Sequence, residues 1–134
     1  MTDTTKPSKK FMCRILLVED DLALADLLNE VLTFENCTVD HVSNGMEAMS
    51  LLHTGDYDAI ISDLMMPRMG GEALYREVVQ LYPYLADKFL FVSSQATVRA
   101  GMGDFIRGTG NTLLEKPFEM DAFHAALREL FERI

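Results

Sequence analysis

Unbroken runs of branched apolar residues recur along the chain, each followed by a stretch in which apolar positions return every three or four residues. Arg14-Ile-Leu-Leu-Val18 is the first such run, the pattern of a strand buried on both faces of a parallel sheet. It stops abruptly at Glu19, Asp20 and Asp21. From Asp21 to Phe34, apolar residues at Leu24, Leu27, Leu28, Val31 and Leu32 keep helical spacing with one face inward. Asp20 or Asp21 stands where it can cap the helix start. Thr38 to Val42 alternates as a shorter strand, Asn44-Gly45 turns the chain into a second helix reaching about Leu52, and Gly55 stops it.

The alternation continues. Ala59-Ile-Ile-Ser62 reads as a third strand with Asp63 at its carboxyl end, followed by a breaker-rich loop from Leu64 to Gly71. A third helix carries Leu74, Val78 and Leu81 on one face and closes at Pro83. Phe89-Leu-Phe-Val92 is a fourth buried strand ending in Ser93-Ser94. The segment from Ala96 to Arg107 reads as a weak, mobile fourth helix, because Gly101 and Gly103 would each cost about 1 kcal/mol relative to Ala in a helix interior. Thr112-Leu-Leu-Glu115 is a fifth strand ending at Lys116-Pro117, and Glu119 to Arg133 a final helix with Phe123, Leu127, Leu130 and Phe131 inward. Strict alternation of strand and helix predicts an α/β fold, a doubly wound five-stranded parallel sheet. In such sheets a ligand site lies beyond the carboxyl ends of the strands.

Composition narrows the function. At 134 residues the chain can bury one good core. Its 49% hydrophobic and 25% charged residues exclude a disordered or collagen-like chain. The formal net charge of −9 argues against direct nucleic-acid binding, which needs a clustered basic face. Lys6, Lys9 and Lys10 lie in a polar opening segment, read as a flexible tail over residues 1–11, with residues 12–134 as a single domain. No apolar run suits a signal peptide or the roughly twenty residues of a membrane span, so membrane insertion is not expected. Cys13 and Cys37 form neither a CxxC pair nor a secreted framework, which fits a reducing cytoplasm.

The strand ends carry the chemistry. Glu19 and Asp20 follow the first strand, Asp63 ends the third, Ser93 the fourth, and Lys116 the fifth. Taken singly, an acid at a strand-to-helix turn caps a helix and a lysine before proline is a solvated turn; the combination is what points to a site. Three converging carboxylates repel one another unless a divalent cation neutralises them, and hard oxygen ligands suit Mg2+, which also shares phosphate oxygens. A carboxylate can attack phosphorus to give an acyl phosphate. A lysine and a serine hydroxyl can then hold the transferred oxygens.

These residues resemble the receiver domain of two-component response regulators and hybrid sensor kinases from Arg14 to Ile134. The likeness rests on Ile-Leu-Leu-Val-Glu19-Asp20-Asp21, on Ile-Ile-Ser-Asp63-Leu-Met-Met-Pro67-Arg-Met-Gly-Gly71, and on Leu-Glu-Lys116-Pro117-Phe118. The resemblance implies a flavodoxin-like (βα)5 fold with strand order 2-1-3-4-5, in which Asp63 accepts the phosphoryl group. It further implies Mg2+ held by Asp20, Asp63, the Met65 carbonyl and Glu19, the last largely through water. Ser93 would be the switch hydroxyl, and Lys116 would pair with Asp63, with a cis bond before Pro117. By the same likeness the chain is a signalling switch rather than an enzyme, its phosphodonor is a histidine kinase or a histidine phosphotransfer domain, its helix 4, strand 5 and helix 5 surface switches, and a homodimer stays open.

The chain departs from the family pattern at Leu113, where an aromatic residue is usual, and at Ser93, where Thr is commoner. Met65 and Gln95 take positions that in the family tune loss of the phosphoryl group. Leu22, Ala23 and Ala25 are read as a less buried surface for a donor helix bundle. His41, His53 and His124 begin no helical dimerisation segment and are read as surface or packing residues. Two other readings stay open. A pseudo-receiver would fold but take no phosphate. A Mg2+-dependent phosphatase with an aspartate nucleophile would need a second acid where Met65 stands, and so lacks its general acid.

Overall fold

Five parallel strands pair in the order β2-β1-β3-β4-β5. In the computed structural model, which describes residues 13–94 and 101–134, they are β1 (Arg14–Val18), β2 (Thr38–Val42), β3 (Ala59–Asp63), β4 (Phe89–Ser94) and β5 (Thr112–Lys116). Between and after them run α1 (Leu22–Phe34), α2 (Gly45–Thr54), α3 (Gly71–Leu81), α4 (Gly103–Thr109) and α5 (Met120–Glu132), with a 3-10 turn at Pro83–Leu85. The expected order and doubly wound architecture are both observed, and the peptide bond before Pro117 is cis. The N-terminal tail, Gln95 and residues 96–100 of the expected fourth helix lie outside the described residues.

The central strands are unbroken apolar runs because helices cover both of their faces. Leu28 and Leu32 of α1 pack with Phe123, Leu127 and Leu130 of α5 on one side, around Ile15, Leu17 and Ile61. Met49 and Leu52 of α2, Leu74 and Val78 of α3 and Ile106 of α4 cover the other side, around Leu16, Ile60 and Phe91. Alternate side chains of one strand thus enter opposite layers. On the second side, Tyr75 sets its ring edge against Phe89, Phe91 and Phe105 at centroid distances of 5.0, 5.9 and 5.6 Å.

Several expectations need correction. Leu27 and Leu81 are exposed while Ala25 is buried, so the inward face of α1 is Ala25, Leu28 and Leu32, with Leu24 and Val31 packed half-buried against the same core. Helical spacing marks a stripe but not its depth. Leu81 ends α3, where buried Leu85 of the following turn packs in its place. Gly101 (φ +105°) and Met102 form a π-helical turn that runs directly into α4 at Gly103.

Candidate functional site

Asp21 fixes the start of α1 by accepting a hydrogen bond from Leu24 N at 3.2 Å, and the two residues before it form the acidic turn. Glu19 is 1% exposed. Its N–H extends the β1–β2 ladder to Val42 O at 3.0 Å, and its Oε2 accepts from Asp21 N at 3.0 Å. Asp20 is exposed. Asp63, the last residue of β3, is also buried, and its Oδ1 accepts from Met65 N at 3.1 Å. Gly71 lets the next helix start against it: a Cβ there would lie 2.5 Å from Asp63 O. The loop between them puts Arg68 and Met69 at positive φ.

Lys116 reaches this acidic group from the end of β5. Its Nζ lies 2.8 Å from Asp63 Oδ2 and 3.3 Å from Glu19 Oε1. Ser93 follows Val92, the β4 partner of Asp63, and its fully buried Oγ has no hydrogen-bond partner among the described residues. The structure therefore joins Glu19, Asp20, Asp63 and Lys116 directly and sets Ser93 on the adjoining strand end. Met65 follows on an exposed loop.

Burial is the main reason the Glu19 carboxyl is pushed up to about 7. The Asp21 N–H opposes that shift, the Asp63 charge adds to it, and Lys116 again opposes it. Burial pushes Lys116 down, but the hydrogen bond and charge of Asp63, helped by Glu19, outweigh it and leave the ammonium above its usual pKa. The site is thus a buried acid pair that needs positive charge. Carboxylate oxygens of Glu19, Asp20 and Asp63 all lie within 4.8 Å of one another. This compact, all-oxygen set with one solvent-facing member fits a hard divalent cation that keeps several waters.

The response regulator receiver domain family model matches residues 15–128. The chain belongs to that family. It is 34% identical over 120 residues to the transcriptional regulatory protein TcrA of Mycobacterium tuberculosis, covering 90% of this chain and 46% of TcrA. The receiver domain thus spans about half the length of this curated relative. The response regulator TrrA of Thermotoga maritima, solved in complex with Mg2+ and BeF, superposes with a TM-score of 0.75 at 26% identity, over 89% of this chain and 99% of TrrA. A sensor protein from Polaromonas sp. superposes with a TM-score of 0.76 at 28% identity, over 91% of this chain and 98% of its own.

One contact of this receiver domain was not foreseen. His41, read as a surface or packing residue, places Nε2 2.7 Å from the Glu19 carbonyl oxygen. The only sequence signal was its position one residue before the end of β2. The other expectations for surface residues divide: Leu22 is exposed, whereas Ala25 is buried. Among the described residues no helix is long and apolar enough to cross a membrane.

Proposed function

We propose that this receiver domain accepts a phosphoryl group on the Asp63 carboxylate, in a Mg2+-dependent transfer from a phosphohistidine of a histidine kinase or histidine phosphotransfer domain in the cytoplasm. The observation that carries this reading is the Lys116 ammonium 2.8 Å from Asp63 Oδ2 inside a cluster of three carboxylates. Glu19, Asp20, Asp63 and the Met65 carbonyl would hold Mg2+, which when bound supplies positive charge to the transferred oxygens and offsets the repulsion among the acids.

The transfer breaks one bond and makes one. An Asp63 oxygen attacks phosphorus, an O–P bond forms, the N–P bond breaks, and the imidazole leaves with the electron pair. Lys116 exchanges its contact with the Asp63 carboxylate for one with a phosphoryl oxygen, keeping a fixed positive charge beside the reacting group. Ser93 Oγ, which lacks a partner among the described residues, donates to another phosphoryl oxygen. That pull on β4, together with about two added negative charges, changes the surface of α4, β5 and α5.

The test is incubation with Mg2+ and acetyl phosphate, followed by intact-mass measurement. Gain of one phosphoryl group by wild type, and none by Asp63→Asn or in a chelator, supports the proposal. A wild-type chain that gains nothing supports the pseudo-receiver. Steady hydrolysis of assorted phosphate esters supports the phosphatase.

A further inference from the structure

Glu19 is gripped at each of its polar groups. Its N–H is tied to Val42 O at 3.0 Å, its carboxylate to Asp21 N at 3.0 Å and to Lys116 at 3.3 Å. Its carbonyl is tied to His41 Nε2 at 2.7 Å. The first three holds belong to the ladder, the turn and the site. The fourth comes from an exposed side chain on the edge strand β2, whose register partner on β1 is Leu17, two residues before Glu19. On that side the backbone turns away at Asn44, whose side chain caps α2 by accepting from Glu47 N at 2.9 Å. Among the described residues, the hydrogen bond to the Glu19 carbonyl is the one from His41.

We propose that His41 is a positioning residue, a strut that sets the Glu19–Asp20 peptide plane and thereby aims the Asp20 carboxylate at the cation site. The inference rests on the reading of that site given above. A carbonyl only accepts, so Nε2 carries the proton and donates. The peptide group is planar, so fixing the Glu19 oxygen also fixes the Asp20 nitrogen. Asp20 needs this indirect hold, because among the described residues its own carboxylate has no hydrogen-bond partner. Threonine at position 41 would be too short to reach, and glutamate would bring no proton. The exposure of His41 means that truncation leaves both core layers intact.

The experiment compares wild type, His41→Ala and His41→Gln by calorimetric Mg2+ titration, with thermal unfolding of the metal-free proteins and imidazole 15N shifts of wild type. His41→Ala should bind Mg2+ about fivefold more weakly, the factor that one ordinary hydrogen bond represents. His41→Gln, whose amide donor stands near the Nε2 position, should recover most of the loss. Metal-free unfolding temperatures should agree, and the metal-free wild-type imidazole should show a protonated Nε2. Equal Mg2+ binding by wild type and His41→Ala, a glutamine variant as weak as alanine, or a neutral ring protonated at Nδ1 overturns the strut. A wild type that binds no Mg2+ overturns the site itself, and the strut with it.

Discussion

Lys116 Nζ stands 2.8 Å from Asp63 Oδ2, and the same ammonium also faces Glu19 at 3.3 Å. One cation therefore balances two buried carboxylates, and much of the site's behaviour follows from that ratio.

Removing the cation leaves both acids unmatched. Lys116→Met should lower the stability of the metal-free protein by about 2 kcal/mol, below the loss for a fully buried pair because the ammonium is 25% exposed. Denaturant titration in chelator measures it. Saturating Mg2+ should shrink the deficit, since the bound cation restores positive charge.

Crowding at the end of β3 gives a second test. A Cβ at Gly71 would meet Asp63 O at 2.5 Å and Leu64 Cα at 2.9 Å, both backbone atoms that have little room to yield. Gly71→Ala should cost about 1–3 kcal/mol by overpacking and should also slow acetyl phosphate labelling, because the nearest displaced atom is the carbonyl oxygen of the acceptor residue. Gly108, with open space around its Cβ direction, is the control: Gly108→Ala should leave labelling unchanged.

Far from the site, Asn111 ties three segments together. Its Oδ1 accepts from Phe89 N at 3.2 Å and from Arg133 at 3.1 Å, and its Nδ2 donates to Ala86 O at 2.8 Å. Asn111→Ala strips partners from a buried N–H and should cost about 2–3 kcal/mol. Thermal unfolding checks this, and Mg2+ affinity should not move.

Alkaline pH probes the opposite end of the sheet. Burial, reinforced by the hydrogen bond to Asp40 at 2.6 Å, raises Tyr57 from its usual 10 to about 12. The folded state then holds the phenol proton more tightly than the unfolded state does. This contribution is complete below pH 10 and is lost as pH rises toward 12, amounting to about 3 kcal/mol. Tyr57→Phe should remove that part of the alkaline decline in denaturant-measured stability.

What could be read beforehand followed from local rules. Strands β1, β3 and β4 were legible because burial on both faces leaves unbroken apolar runs, and Glu19, Asp20, Asp63, Ser93 and Lys116 because parallel sheets gather chemistry at the strands' carboxyl ends. His41 was not legible, since its contact depends on how β2 and β1 align, a pairing between segments distant in sequence. Asn111 was hidden for the same reason, its partners lying 22 and 25 residues away. Leu27 and Leu81 misled because helical periodicity gives direction without depth.

The most direct measurement traps the phosphorylated state. After incubation with acetyl phosphate and Mg2+, borohydride reduces an aspartyl phosphate to homoserine, which peptide mass spectrometry locates by position. Homoserine at position 63, absent from chelator-treated protein and from Asp63→Asn, is the expected result. Homoserine at another aspartate, or an unmodified Asp63 under saturating donor and Mg2+, would contradict the assignment of Asp63 as the acceptor.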